Sequence, residues 1–235
     1  MTQRPRPAQP SVEAVILDMD GLLIDTEPVW RAVQAGVFAD LGIKLTEQDL
    51  LDSTGQPTEE LIPIWRQRQP PADRDPGVTD AEIADRITDQ VIAHVRAEGE
   101  PMPGVGEAIA LFRRCGLRLA IASSSARRLI DAVCDRLGLT SIDVRCSGLE
   151  VANGKPAPDV YLETARRLAV APAVCLAVED SPNGLSSAKS AGMRCVAVPD
   201  PLLAADPRYQ DADLVVGSLL ALGAAELRLL GVRVR

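Results

Sequence analysis

The sequence predicts an α/β protein whose core is a parallel β-sheet and which carries an inserted subdomain of helices. Three observations favour this class. Six short aliphatic runs alternate with helical patterns, and such alternation gives right-handed crossovers and a parallel sheet. The residues are 46% hydrophobic but only 3% aromatic, so the core is mainly aliphatic, as in strands that are buried on both faces. One long interval near the N-terminus contains helical patterns and no convincing strand.

The aliphatic runs give the strands. In chain order the predicted strands are Ala14–Leu17, Leu117–Ala122, Ile142–Cys146, Val174–Val178, Cys195–Val198 and Leu214–Val216. Most of the segments between them have apolar residues at helical spacing, for example Leu129, Val133 and Leu137. Pro158 favours a helix that begins at about Asp159, because proline is well tolerated in the first turn.

The strand-free interval runs from about Pro28 to Ala97. Val29, Val33, Val37 and Leu41 indicate one helix, and Ile83, Ile87, Val91 and Val95 indicate another. Between them, the proline-rich and charged segment Gln69–Gly77 is typical of a loop. We therefore expect a Rossmann-like core formed by residues 11–27 and 100–235, with a helical cap at residues 28–99. Residues 1–10, which are rich in proline and arginine, are expected to form a disordered extension.

Composition excludes several classes of partner. The formal net charge of −8 argues against nucleic acid or an anionic membrane surface as a partner, because both need a basic face. No run approaches the roughly 20 apolar residues that span a bilayer, and no protein partner is implied. The odd number of five cysteines and the absence of a CxxC pair predict free thiols and a cytoplasmic location.

Polar residues follow four of the predicted strands. Asp18 and Asp20 follow the first strand, and Ser123 and Ser124 follow the second. Further along, Lys155 comes after the third strand, and the acidic pair Glu179 and Asp180 comes after the fourth. Ligands of open parallel sheets bind outside the carboxyl ends of the strands. We therefore expect two acidic pairs, a hydroxyl pair and one lysine to meet at one edge of the sheet.

These residue types suit phosphoryl chemistry. Carboxylates without histidine or cysteine favour a hard cation such as Mg²⁺, and the single histidine, His94, lies in a helical pattern away from them. An aspartate can attack phosphorus and form an aspartyl-phosphate, while a lysine, a hydroxyl and backbone N–H groups bind the phosphoryl oxygens. A second carboxyl, Asp20, can protonate the leaving oxygen and then activate water. The expected substrate is a small phosphorylated metabolite.

Each signal also has an ordinary structural explanation. The DxD tripeptide fits a strand end and a turn, and the serines fit a helix N-cap, which is the only role expected for Ser125. Asp180 and Ser181 could simply cap a helix that begins near Pro182. Lys155 could be a solvated surface lysine, although the chain has only three lysines. The shared sheet edge favours the functional interpretation over these alternatives.

Four segments together resemble the motifs of haloacid dehalogenase-like phosphatases. They are DMDGLLIDTEPVW at 18–30, IASSS at 121–125, GKPAPDVYL at 154–162 and VEDSPNGLSSAKSAGM at 178–193. The resemblance covers nearly the whole chain from about Val12, and it is closest to bacterial 2-deoxyglucose 6-phosphate and hexitol phosphatases and next to β-phosphoglucomutase. It implies a helical cap, Asp18 as nucleophile, Asp20 as acid/base, and Ser123 and Lys155 as phosphate ligands. It also implies Mg²⁺ held by Asp18, the Asp20 carbonyl and Asp180, with Glu179 orienting metal-bound water.

Departures from the related families narrow the expected function. Haloalkanoate dehalogenases lack the second aspartate of the first motif, so the presence of Asp20 disfavours dehalogenation. Where the mutase has a histidine and a lysine, this chain has Trp30 and Ala126. The segment 54–58 lacks the arginine that the cap of related sugar phosphatases usually offers. The last departure concerns the substrate and leaves the phosphoryl chemistry untouched. The expected function is hydrolysis of a small phosphomonoester, with a sugar or polyol phosphate as the expected substrate; the alternatives are a phosphomutase and a non-catalytic phosphate-binding relative.

Overall fold

The computed structural model describes residues 10–52, 56–68, 77–201 and 203–234, and its centre is a parallel sheet. The strand order is β3-β2-β1-β4-β5-β6. The strands are β1 Ala14–Leu17, β2 Arg118–Ser123, β3 Val144–Ser147, β4 Cys175–Glu179, β5 Arg194–Ala197 and β6 Leu214–Val215. Because β1 lies between β2 and β4, with Leu17 opposite Ile121 and Val178, the ends of these three strands lie side by side. The predicted α/β parallel-sheet fold is confirmed.

Helices cover both faces of the sheet. They are α5 Val105–Arg114, α6 Arg127–Arg136, α7 Asp159–Arg167, α8 Pro182–Ser190 and α9 Ala224–Leu229, numbered after the four helices described next. Successive strand residues point to opposite faces, so Val15 and Leu17 pack into one hydrophobic cluster with α5 and α6. Ala14 and Ile16 pack into the other, with α7 and α8. All four residues of β1 are buried, as expected for a central strand covered by helices.

The interval that lacked predicted strands forms helices α1 Glu27–Asp40, α2 Glu47–Asp52, α3 Thr58–Arg68 and α4 Asp80–Glu98. Helices α1, α3 and α4 share a hydrophobic cluster of their own, in which Phe38 and Trp65 meet edge to face at 5.1 Å between ring centroids. The helix α4 serves two clusters. Its first half contributes Ile83 and Ile87 to the cluster of the helices, whereas Val91 and Val95 pack into the core of the sheet.

Most sequence boundaries differ from the structure by one or two residues. The second strand begins one residue later than predicted and includes Ser123, and the third begins at Val144, two residues later than predicted. Helix α7 begins at Asp159, as expected from Pro158. The division into a core and a cap at residues 28–99 stays a prediction. Residues 1–9 of the predicted extension and 69–76 of the predicted loop lie outside the described residues.

Within the described ranges, no helix is both long enough and apolar enough to cross a membrane.

Candidate active site

The carboxyl ends of β1, β2 and β4 bring the predicted polar residues together. Asp18 directly follows β1, Ser123 ends β2, and Glu179 and Asp180 lie at the end of β4. All four are buried, with exposed fractions of 6%, 1%, 0% and 6%. Buried carboxylates need compensating charge and hydrogen bonds, so the partners of these groups define the site.

Lys155 supplies the compensating charge. Its Nζ donates to Asp18 Oδ1 at 2.6 Å, to Glu179 Oε1 at 2.7 Å and to the Ala122 carbonyl at 3.0 Å. These three bonds match the three donors of an ammonium group. Burial disfavours the charged form, but the carboxylates of Asp18 and Glu179 outweigh burial and raise the pKa of Lys155 above its ordinary value. The side chain is only 5% exposed, so Lys155 is not a solvated surface lysine.

One lysine does not balance three carboxylates. Loss of solvation raises the pKa of Asp18 to about 7, with Lys155 opposing the rise and Glu179 adding to it. Burial also raises the pKa of Asp180, and the charges of Asp18 and Glu179 raise it further. Each of the three residues offers a carboxylate oxygen within 4.8 Å of the others. An all-oxygen donor set with an excess of negative charge fits Mg²⁺.

Glycine creates the space for one of these carboxylates. Gly21 has a φ of +76°, and a Cβ built on it would lie 2.1 Å from Asp180 Oδ2. Only a residue without a side chain allows this approach and adopts this backbone conformation without strain. The turn after β1 is thus shaped around an oxygen of Asp180, which directly follows a different strand, β4.

Both tyrosines of the chain contact the acidic pair. The Tyr161 hydroxyl donates to Glu179 Oε1 at 2.5 Å, and the Tyr209 hydroxyl donates to the Asp180 carbonyl. Ser181 caps α8, since its hydroxyl accepts from the Gly184 N–H, whereas Asp180 points into the acidic cluster. The sequence analysis missed the two tyrosines. Their scarcity in a chain so poor in aromatic residues is a signal that could have drawn attention to them.

Asp20 lies beside this charged cluster but has a different environment. Its Oδ2 accepts hydrogen bonds from Ser123 at 3.2 Å and from Ser125 at 2.8 Å. Its Oδ1 accepts from Thr26 at 2.5 Å and from the Trp30 indole at 3.3 Å. Four uncharged donors therefore fix the orientation of this carboxylate.

The expectation that Ser125 only caps a helix is wrong. Helix α6 begins at Arg127 with Ala126 as its N-cap residue, and no side chain caps it. Ser125 instead points toward the strand edge and donates to Asp20, while its N–H donates to the Ser123 hydroxyl at 3.0 Å. The hydroxyl was misassigned because a serine run before a helix normally satisfies the free N–H groups of the first turn.

A cleft of about 790 Å³, counting the space open to solvent, lies between this strand edge and the helices α1, α3 and α4. Asp18, Asp20, Ser123, Ser124, Lys155 and Asp180 line its floor, so Ser124 also faces the cleft. The opposite wall is formed by Glu27, Trp30, Gln34, Gln56, Pro57, Thr58, Glu59 and Thr88. Among the described lining residues, Lys155 is the sole lysine or arginine. Of the segment 54–58, whose sequence contains no arginine, the structure describes only the residues from Gln56 onward.

An aspartate pair, a serine, a lysine and a second acidic pair meet at the ends of parallel strands. This arrangement is typical of phosphate-ester hydrolases of the α/β class. A family model for haloacid dehalogenase-like hydrolases matches residues 12–192. The chain belongs to this family, and it is a phosphatase.

The relatives agree with this assignment. Hexitol phosphatase B of Escherichia coli (strain K12) is 37% identical over 216 residues, which are 91% of this chain and 96% of the relative. The protein CbbY of Rhodobacter capsulatus is 37% identical over 219 residues, which are 85% and 93% of the two chains. A crystal structure of a CbbY mutant from Rhodobacter sphaeroides in complex with xylulose-(1,5)bisphosphate has a TM-score of 0.81 and 32% identity. It covers 92% of this chain and 99% of that chain. The resemblance inferred from the motifs is confirmed.

Proposed function

We propose that the protein hydrolyses a sugar or polyol monophosphate through an aspartyl-phosphate at Asp18, with Mg²⁺ as cofactor. The observation that carries this proposal is the buried group formed by Asp18, Lys155, Glu179 and Asp180 beside Asp20. It combines a nucleophile, a fixed cation and a carboxylate suited to proton transfer on the floor of one cleft.

In the first step an Asp18 carboxylate oxygen attacks phosphorus. The bond from this oxygen to phosphorus forms, and the bond from phosphorus to the ester oxygen breaks. Lys155, already 2.6 Å from Asp18 Oδ1, offsets the repulsion between the anionic nucleophile and the anionic ester. Ser123 and Ser124 line the same floor, where their hydroxyl and backbone donors bind phosphoryl oxygens.

Asp20 moves the protons. It gives a proton to the departing alkoxide, since an unprotonated sugar alkoxide is a poor leaving group. It then accepts a proton from the water that attacks the aspartyl-phosphate, and this attack releases inorganic phosphate and regenerates the Asp18 carboxylate. The four hydrogen bonds to Asp20 hold its carboxyl group in place for both transfers.

The same carboxylates would hold the metal. We assign Asp18, the main-chain carbonyl of Asp20 and Asp180 as Mg²⁺ ligands, with Glu179 orienting bound water while it accepts from Lys155 and Tyr161. When bound, the cation supplies positive charge against the transferring phosphoryl group. The excess of carboxylates over lysine, together with the space that Gly21 leaves for Asp180, supports this assignment.

The cleft wall supports a substrate with a single phosphate. Of the described residues, the wall opposite the strand edge presents two acids, Glu27 and Glu59, and hydroxyl or amide groups of Gln34, Thr58 and Thr88. Carboxylates disfavour a second phosphate, whereas neutral polar groups suit the hydroxyls of a sugar or polyol. The hexitol phosphatase relative is consistent with such a substrate, and the xylulose bisphosphate bound by CbbY is the contrasting case.

A comparison of Asp18→Asn with the wild type tests the proposal. We expect the wild type to release phosphate from hexitol and hexose monophosphates in Mg²⁺ and not in chelator. The variant should lose at least about a thousandfold in rate, equivalent to roughly 4 kcal/mol of transition-state stabilisation. Mass spectrometry of acid-quenched wild type should find a phosphoryl group on the peptide containing Asp18.

The exposed Asp211→Asn change serves as the control and should keep wild-type activity. Near-wild-type turnover by Asp18→Asn would remove Asp18 from its role. Full activity in chelator, with metal analysis showing no bound cation, would remove Mg²⁺ from the proposal.

A further inference from the structure

Trp30 links the helices to the proton-transferring carboxyl group. It lies on α1, one turn after Thr26, and its backbone N–H donates to the Thr26 carbonyl at 2.9 Å. Residues four apart share a helix face, and both side chains donate to the same oxygen, Asp20 Oδ1. Ser123 and Ser125, which belong to the sheet side of the cleft, donate to the other oxygen, Oδ2.

The indole differs chemically from the other three donors. The hydroxyls of Thr26, Ser123 and Ser125 can rotate and either donate or accept, whereas the indole N–H can only donate. The ring is also held in position, because it packs against both the core cluster and the cluster of helices α1–α4. Trp30 is therefore a fixed donor aimed at one oxygen of Asp20.

From this geometry we propose that Trp30 is a positioning residue for phosphoryl transfer, orienting the Asp20 carboxyl group toward the leaving oxygen. This inference rests on the proposed function and deepens it. The indole holds Oδ1 as an acceptor, which leaves Oδ2, on the side of Ser123, to face the ester oxygen. Trp30 itself transfers no proton. It also lines the cleft, so its ring forms part of the wall that the substrate contacts.

The test uses two esters that differ in their need for a proton. A hexitol phosphate leaves as an alkoxide and depends on Asp20, whereas p-nitrophenyl phosphate leaves as a stable phenolate and depends on it little. The constant kcat/KM is the measured quantity because it reports formation of the aspartyl-phosphate and excludes its later hydrolysis. Trp30→Phe keeps an aromatic ring and removes the N–H.

We expect Trp30→Phe to lower kcat/KM about tenfold for the hexitol phosphate and less than about threefold for p-nitrophenyl phosphate. The matched control is Trp65→Phe, the same change at a buried tryptophan packed on Phe38. It should change both constants by the same factor. A second probe, 3-benzothienylalanine at position 30, keeps the shape of the ring and replaces the N–H by sulfur. It should reproduce the difference between the two esters.

Equal losses for both esters, or no loss for either, would overturn the positioning role of Trp30 while the proposed function stands. If the wild type hydrolyses neither ester, the proposed function falls and the role of Trp30 falls with it. Asp18→Asn, assayed in parallel, separates the two cases because it abolishes turnover only if the proposed chemistry is right.

Discussion

The two carboxylates of the DMD segment lie two residues apart and are held in opposite ways. Asp18 belongs to a buried cluster of three acids and one lysine, and every one of these groups comes from the strand ends and loops of the sheet. Asp20 is held by four uncharged donors, two from the sheet side and two from the start of the helical region. We call Asp18, Lys155, Glu179 and Asp180 the charge half of the site. It depends on the balance between the carboxylates and the lysine within the core.

We call Asp20 and its four donors the hydrogen-bond half. Its geometry depends on how helices α1–α4 pack against the core. Removing a charge is therefore expected to disturb folding and metal binding together, whereas altering the helices is expected to disturb mainly the orientation of Asp20. In the proposed mechanism, this difference separates the nucleophile and its charged partners from the carboxyl group that transfers protons.

The largest effect is expected for Lys155→Met, which removes the sole cation that pairs with the buried acids in the part of the chain that the structure describes. Breaking a buried ion pair leaves uncompensated charge and lowers the free energy of unfolding by about 3–5 kcal/mol. Mg²⁺ should recover part of this loss, because it binds the same carboxylates in the folded state. Urea unfolding with and without Mg²⁺ measures both quantities.

Lys189→Met is the matched control. Lys189 pairs with Asp213 at 2.7 Å, and both side chains are 32% exposed, so its loss should amount to about 1 kcal/mol or less. It should also be insensitive to Mg²⁺. If the two lysine variants were equally stable, the charge half would not depend on electrostatic balance.

The charge half could be predicted from the sequence because its geometry follows from strand direction. Once Ala14–Leu17 and Val174–Val178 are recognised as parallel strands, the residues that follow them must meet at one edge. The position of Lys155 was harder to predict from the sequence, because Lys155 lies on a loop and the length of a loop does not fix its path. Even so, its place among the polar residues of the strand ends was enough to include it.

The hydrogen-bond half could not be predicted in the same way. Thr26 and Trp30 reach Asp20 only because the chain turns back after β1 and enters α1 at a particular angle, which no periodicity encodes. Ser125 was assigned to helix capping because local hydrogen bonding is the commoner use of a serine before a helix. Tyr161 and Tyr209 lie beyond the strands, and only tertiary packing brings their hydroxyls to Glu179 and Asp180.

A smaller effect is expected for Gly21→Ala, at the junction of the two halves. The added Cβ would lie 2.1 Å from Asp180 Oδ2, and the alanine would have to adopt a φ of +76°. The strain lowers stability by roughly 1–2 kcal/mol, and displacement of Asp180 should lower kcat about tenfold.

Gly116→Ala separates the two causes. Gly116 has a φ of +75°, and a Cβ there would meet no atom within 4 Å, so this variant should show the strain without the loss of activity. Stability by urea unfolding and phosphate release under saturating Mg²⁺ are the measurements. Equal activity of the two variants would show that the space beside Asp180 is not needed.

The smallest effect is expected where the helical region meets the core. Arg128 on α6 donates to the Asp85 carboxylate on α4 at 2.8 Å and lies 3.4 Å from that of Asp89. The arginine is 42% exposed and its partners 69% and 67%, so solvent screens these pairs. Arg128→Ala should lower the free energy of unfolding by about 0.5 kcal/mol at low salt, and by less at high salt.

The expected effect on catalysis distinguishes the ion pairs of Arg128 from an ordinary surface ion pair. Arg128 connects the helices to the core, so its loss should shift the position of α4 and α1 and reduce kcat/KM about twofold to threefold. Arg166→Ala removes an exposed arginine whose ion pair, among the residues that the structure describes, is with Glu163 of the same helix α7 at 2.7 Å, and it should leave kcat/KM unchanged. Kinetics at two salt concentrations provide the readout, because the difference between the variants should shrink as salt rises. Identical kinetics at low salt would mean that apolar packing, including that of Val91, Ile92 and Val95, fixes the helices on the core, and that the orientation of Asp20 is independent of surface charge.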